Sequence, residues 1–218
     1  MTEATELEAP ATPRNGRAAR WQERKSAEMR LRILRTAVDC LVEEGYAGFA
    51  VQQIAKRAGI SRGALLHHFP TKRDLVSAVI EHSFYMRIQA FLDAFRRSCA
   101  EGNDRVETAV AIHWDNIRTR EFAANLELIV AARTDPELRD FLLPEAQRYD
   151  SIWADEMKNA FPQWKGDTRM LQLSSDFVTV ANLGLLLQPD WDAARVDDVL
   201  QLTQKTVGDL YRDYAAKD

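Results

Sequence analysis

Apolar residues recur every three or four positions along most of this chain, and nowhere do apolar and polar residues alternate over a useful length. The first spacing marks one face of an α-helix; alternation would mark a half-buried strand. The pattern predicts helices and no strands. Ser26 is a suitable N-cap. From it Met29, Ile33, Ala37 and Cys40/Leu41 step along one face toward Glu44, with Gly45 as the expected stop. Short helices are predicted from Val51 to Ala58 and from Arg62 to His68, the second capped by Ser61 and ended by Pro70. Thr71 caps a long helix toward Arg97, and Gly102-Asn103 is a break. Helical spacing resumes over about 104–119, 121–132, 136–160, 167–187 and 193–216. Asp135-Pro136 has the form of an N-cap followed by proline at the first helical position.

Composition supports long helices. The 218 residues contain nine glycines and seven prolines, fewer chain breakers than the usual ~12%. Two cysteines are too few for a disulfide framework or a structural zinc site. The longest strongly apolar stretch, Phe177 to Leu187, is well short of the ~20 residues a membrane helix needs. The first ten residues, MTEATELEAP, have no apolar core, so no secretory signal is read there. A cytoplasmic protein without a membrane part is expected.

Charge changes the picture more than composition does. The chain carries a net −4, which alone argues against a polyanionic partner. Yet residues 14–73 hold 13 Lys/Arg against five Asp/Glu, a net of +8, while residues 74–218 carry −9. A basic N-terminal third on an acidic body is an electrostatic footprint for nucleic acid. Residues 1–25 read as a disordered arm, basic over Arg14, Arg17, Arg20, Arg24 and Lys25, that can enter a minor groove or stay a free tail.

Within the basic third, Ile54-Ala55-Lys56-Arg57-Ala58-Gly59-Ile60-Ser61-Arg62-Gly63-Ala64-Leu65 has the form of a helix-turn-helix. Ala55 is small where two helices cross, Gly59 supplies a left-handed residue for the turn, and Ile60 plugs the space between the helices. Leu65 and Phe69 point inward, leaving Arg62, Gly63, Ala64, Leu66 and His67 for the outer side. The stretch from about Ser26 to Ile80 resembles the DNA-binding domain of the TetR/AcrR family of bacterial transcriptional regulators. The residues that carry the resemblance are Ile54-Ala55, Ala58 to Gly63, His67-His68-Phe69-Pro70-Thr71-Lys72 and Leu75.

The resemblance implies an all-α fold. An N-terminal three-helix helix-turn-helix domain, 26–72, binds DNA; a C-terminal helical domain, 73–218, binds a small-molecule effector and forms a homodimer. It implies a repressor released from a palindromic double-stranded operator. Two positions depart from the family pattern. Phe49-Ala50-Val51 offers no hydroxyl where the first helix of the motif usually opens with threonine, and Leu66 stands where tyrosine is usual. The candidate DNA contacts are Gln52, Ser61, Arg62, Gly63, Ala64, Leu66, His67 and Lys72. Arg62 can grip guanine O6 and N7 or bind a phosphate; Gln52 can pair with adenine or face solvent. Lys72 opens the following helix, where a phosphate is favoured. Adjacent His67 and His68 point about 100° apart on a helix, which argues against metal.

In the body, mixed aromatic and polar residues predict an effector pocket among the middle helices, with His113, Trp114, Ile117, Asn125, Trp153 and Phe177 as its candidate lining. Apolar lines predict a dimer seam: Leu173, Phe177, Val180/Ala181 and Gly184, then Val196, Leu200, Thr203, Val207, Leu210 and Tyr214. No cofactor is implied. Catalytic motifs are missing: Glu81-His82 lacks the second histidine of a zinc site, and there is no glycine-rich phosphate loop or GxSxG turn. The chain is expected not to be an enzyme. The rival readings are a helical protein-interaction module and a regulator insensitive to ligand.

Overall fold

The computed structural model describes residues 14–162 and 168–215. These residues form helices joined by short turns, with no strand among them. In chain order the helices are α1 (Arg14–Gly48), α2 (Val51–Arg57), α3 (Arg62–His68), α4 (Lys72–Ala100), α5 (Arg105–Ile117), α6 (Arg120–Ala131), α7 (Pro136–Ala160), α8 (Thr168–Leu186) and α9 (Ala193–Ala215).

Side-chain caps set most of these starts. Ser61 accepts from the Ala64 amide, Thr119 from Phe122 and Asp135 from Leu138. Asp104 accepts from both Val106 and Glu107. Thr71 and Asp74 bond each other's backbone N–H groups reciprocally at the start of α4. Helix α1 differs from expectation. It does not begin at Ser26 but continues back to Arg14, so residues 14–25 are helical rather than a loose arm. Alanine, arginine, glutamine, glutamate and lysine are strong helix formers and no proline interrupts them. Lys25 also packs its ammonium 3.9 Å from the ring centre of Trp21, one turn before it. The expected disorder of residues 1–13 lies outside the described residues. Gly45 takes φ 67° and kinks α1, and Glu44 is indeed the end of its regular part.

Two buried clusters hold the molecule. The first joins Ile33, Ala37 and Leu41 of α1 to Ile54, Leu65, Phe69, Leu75 and Val79, and then to Ala124, Leu128, Leu138 and Leu142 of α6 and α7. It ties the helix-turn-helix to the body. The second gathers Ile88, Phe91, Leu92 and Phe95 of α4 with Val106 and Val110 of α5, Met157, Leu171, Val178 and Val207. Helix α4 is common to both.

Helix α8 separates two faces cleanly. Leu171, Ser174, Val178, Asn182 and Leu185 are buried, whereas Leu173, Phe177 and Val180, with Leu187 just past the helix end, are 54%, 42%, 71% and 57% exposed. Two residues of the expected α9 line are corrected, while Val196, Leu200 and Leu210 stay half-buried. Thr203 and Val207 are buried within the protomer, because α9 lies against α5, and Leu202 is the large apolar residue it exposes. The side chain of Tyr214 lies outside the described residues.

Candidate DNA-reading head and effector chamber

The reading head is built from α2, the turn at Gly59 and α3. Gly59 has φ 67° and nothing stands within 4 Å of where its Cβ would be, so backbone conformation alone demands glycine. Ile60, half-buried, packs against the first core, and its N–H bonds the Ala55 carbonyl at 3.0 Å. Leu65 and Phe69 are sealed inside. This anchoring leaves Gln52, Ser61, Arg62, Gly63 and His67 exposed on the outer side, with Ala64 and Leu66 half-buried beside them. Ser61 faces outward while its hydroxyl caps α3 at 3.1 Å. Ala50, the N-cap of α2, makes no side-chain cap bond.

Lys72 is exposed but not unengaged. Its ammonium lies 4.0 Å from the centre of the Tyr46 ring and 5.7 Å from that of Phe49, and burial lowers its pKa against a partial pull from Asp135. Arg30 sits 4.4 Å from the Phe69 ring centre and donates to the His68 carbonyl at 3.4 Å. Burial, then the neighbouring His67 and Arg30 charges, hold His68 below the ordinary histidine range.

An ion network unread in the sequence braces the head. Arg57 of α2 contacts Glu43 at 2.6 Å and Glu44 at 3.0 Å on α1, and Gln53 also bonds Glu44. Arg120 of α6 contacts Asp39 at 2.8 Å and Glu43 at 3.0 Å. Glu43 thus takes an arginine from the head and one from the body. Its carboxyl is held below the usual range by the hydrogen bond from Arg57, and further by that from Arg120. The partners lie on different helices, 9 to 14 residues apart for the α1–α2 pairs and 77 to 81 for those of Arg120, so no local helical spacing announces them.

Two adjoining pockets, treated as the lobes of one candidate chamber, lie among α4, α5, α6, α7, α8 and α9 and share His113 and Trp153 as lining. The apolar lobe holds about 50 Å³ between Phe91, Val106, Val110, Met157, Leu171 and Val178. The polar lobe holds about 250 Å³ and adds Arg87, Asn116, Asn125, Tyr149 and Thr179. Asn182 Nδ2 donates to His113 Nδ1 at 3.0 Å, so Nε2 carries the ring proton, 3.5 Å from the Thr179 hydroxyl. Burial, aided by the charge of Arg87, pushes the His113 pKa down to about 4. The Trp153 indole N–H donates to Ser175 at 3.0 Å.

Three of the six expected pocket residues, His113, Asn125 and Trp153, line this chamber. Three do not. Ile117, one turn beyond His113, is fully enclosed by core packing. Trp114 turns away from its neighbour His113, half-buried, with the Arg118 guanidinium 5.4 Å from its ring centre. Phe177 falls on the exposed face of α8. Arg87 is the residue sequence reasoning missed. Its signal was present: it shares the apolar face of α4 with Ile80, Phe84 and Phe91.

Known proteins place this architecture. Residues 33–79 match the family described as bacterial regulatory proteins, tetR family. The HTH-type transcriptional repressor AcnR of Corynebacterium diphtheriae is 32% identical over 183 residues, covering 82% of this chain and 90% of the relative. An uncharacterised HTH-type transcriptional regulator of Mycobacterium tuberculosis is 29% identical over 187 residues, covering 82% of this chain and 94% of its own. The structure of SCO1917, a TetR-family member from Streptomyces coelicolor, shares the fold with a TM-score of 0.60 at 20% identity, over 81% of this chain and 98% of that one. With a repressor aligned over nearly its whole length and a helix-turn-helix where the family has its own, the chain belongs to the TetR family of DNA-binding transcriptional regulators and is not an enzyme.

Proposed function

We propose that this regulator is a cytoplasmic homodimeric repressor that holds a palindromic operator and releases it when a small effector fills the chamber. One observation carries the reading. Helix α4 runs unbroken from Lys72, just beyond α3, to Ala100, and Ile80, Phe84, Arg87 and Phe91 of its middle form chamber wall. A ligand that moves this wall moves the helix to which the reading head is joined. The effector need only bind one of two head spacings better than the other. The repressor sign follows that of the relative AcnR, a transcriptional repressor.

Residues 26–72 act as the reading domain and 73–218 as the effector and dimer domain. In the major groove, Arg62 and Gln52 meet base edges, Leu66 and Ala64 meet thymine methyls, and Gly63 lets the backbone approach. Ser61, His67 and Lys72 position the head on phosphates. The exposed stripe Leu173, Phe177, Val180 and Leu187 pairs with its copy, setting two heads at a spacing of ~34–36 Å.

Selection of bound sequences from a random DNA pool by the full-length protein at physiological salt tests this. A two-fold symmetric site with a steep salt dependence is expected. A protein-interaction module would show neither sequence preference nor salt slope.

A further inference from the structure

Helix α4 carries an arginine where its spacing calls for an apolar residue. Ile80, Phe84, Arg87 and Phe91 share one face, and all line the chamber. Arg87 Nε donates to Asn116 Oδ1 at 2.9 Å, and its guanidinium carbon lies 4.6 Å from the Phe122 ring centre. Asn116 Nδ2 returns a bond to the Arg87 carbonyl at 2.8 Å, fixing the amide in place. Asn116 and Phe122 themselves belong to the lining of the polar lobe, so the guanidinium stands at its wall.

Among the described residues no carboxylate is within ion-pair distance of Arg87, and no further side-chain bond engages its two terminal amino groups. Glu121 acts on it only through space. The guanidinium stays charged at neutral pH and has five N–H groups to satisfy. Withdrawing it from water without a counter-charge is unfavourable, and burial pulls its pKa down to about 10. His113, the wall shared with the apolar lobe, turns its Nε2–H toward Thr179, another residue of the polar lobe. The one acid of the lining, Asp150, is exposed and makes no ion pair with Arg87. The polar lobe, at about 250 Å³, lies just under the ~300–1,000 Å³ typical of small-molecule sites.

We propose that the effector is a small monocarboxylate with an apolar body, its carboxylate on the terminal N–H groups of Arg87 and the Nε2–H of His113, its body between Phe91, Val110, Trp153 and Met157. This rests on the reading that the chamber takes an effector. One fixed positive charge fits one negative charge, which favours a carboxylate over a doubly charged phosphate. A planar guanidinium fork also matches the two carboxylate oxygens.

The test is calorimetric titration of the full-length protein with 3-phenylpropanoate and with octanoate, each against its own primary amide. The acids should bind at least tenfold tighter than the amides. R87Q should abolish that preference, and R87K, which keeps the charge but loses the fork, should retain part of it. Circular dichroism melts check that the variants fold; where R87Q does not, R87K carries the comparison. Equal binding of acid and amide, unchanged preference in R87Q, or no binding by either acid overturns the assignment. A separate arm adds each compound that binds to the complex with the selected operator. Binding without release leaves the carboxylate site standing and overturns effector-controlled release instead.

Discussion

Arg62 opens α3 and Lys72 opens α4, and the two are held by different physics. Arg62 is exposed at the first turn of α3, whose Ser61 cap fixes the helix end that faces the groove. Lys72 is spread over the Tyr46 and Phe49 rings and so is tied to the junction of α1 and α2. Arg62→Ala is expected to cost about 1–3 kcal/mol on the selected operator and little on scrambled DNA. Lys72→Ala should weaken both alike and reduce the salt slope by about one. Fluorescence anisotropy on the two DNAs separates these outcomes; equal losses for Arg62→Ala would remove it from base reading. In the chamber, His113 makes a different prediction. Its folded pKa, about 4, lies below the ordinary 6.5. A depressed folded value means that stability is full above pH 6.5 and is lost as pH falls toward 4, because the unfolded chain takes up the proton first. The loss approaches roughly 3 kcal/mol. Urea midpoints from pH 7.5 to 4.5 should fall less steeply for His113→Gln than for the unaltered protein.

At the scale of the element, the least well-founded helix is α2. It has seven residues, no acid in its first turn and an N-cap, Ala50, that offers no acceptor although its backbone is already extended at φ −114° and ψ 130°. The next two helices both have side-chain caps. Ala50→Thr should therefore stabilise the protein by about 0.5–1 kcal/mol, raising the thermal midpoint with no change in α3. A fall in the midpoint would mean that Ala50 is already satisfied in a way a hydroxyl disturbs. Caps and breaks of this kind are what made the elements legible: Ser61, Thr71 and Asp135 act within three residues, and so does the sequence signal for them. Ser26 misled because an N-cap residue signals a start only where the preceding residues resist helix, and residues 14–25 do not. The facing of α9 was illegible for the opposite reason. Its apolar spacing says that a stripe exists, while the partner that covers it, α5, is set by tertiary packing. Arg87 was overlooked because a charge inside an apolar stripe reads as an interruption until the chamber beside it is seen.

For the whole molecule, the question is how one protomer becomes a reader of two half-sites. The outward stripe of α8 has the spacing of a packing seam. Leu173, Phe177, Val180, Gly184 and Leu187 step by three or four, with Gly184 leaving open space among larger neighbours. Among the described residues no other helix exposes a comparable line; α9 adds Leu202, 62% exposed. Val180, at 71% exposure, contributes little to the protomer's own core, so a charge there should change protomer stability by only about 0.5 kcal/mol. Brought against its copy, that same charge would be buried opposite a like charge without a partner. Val180→Glu is accordingly expected to give a folded monomer by sedimentation velocity, with an unaltered circular dichroism spectrum. Its affinity for the full palindrome should drop on the order of 10²-fold or more, because each head then binds without the effective concentration supplied by the other. Its affinity for a half-site should stay close to that of the unaltered protein, since no residue of the reading head has changed. A variant that still sediments as a dimer would move the seam off α8 and, with it, the proposed head spacing.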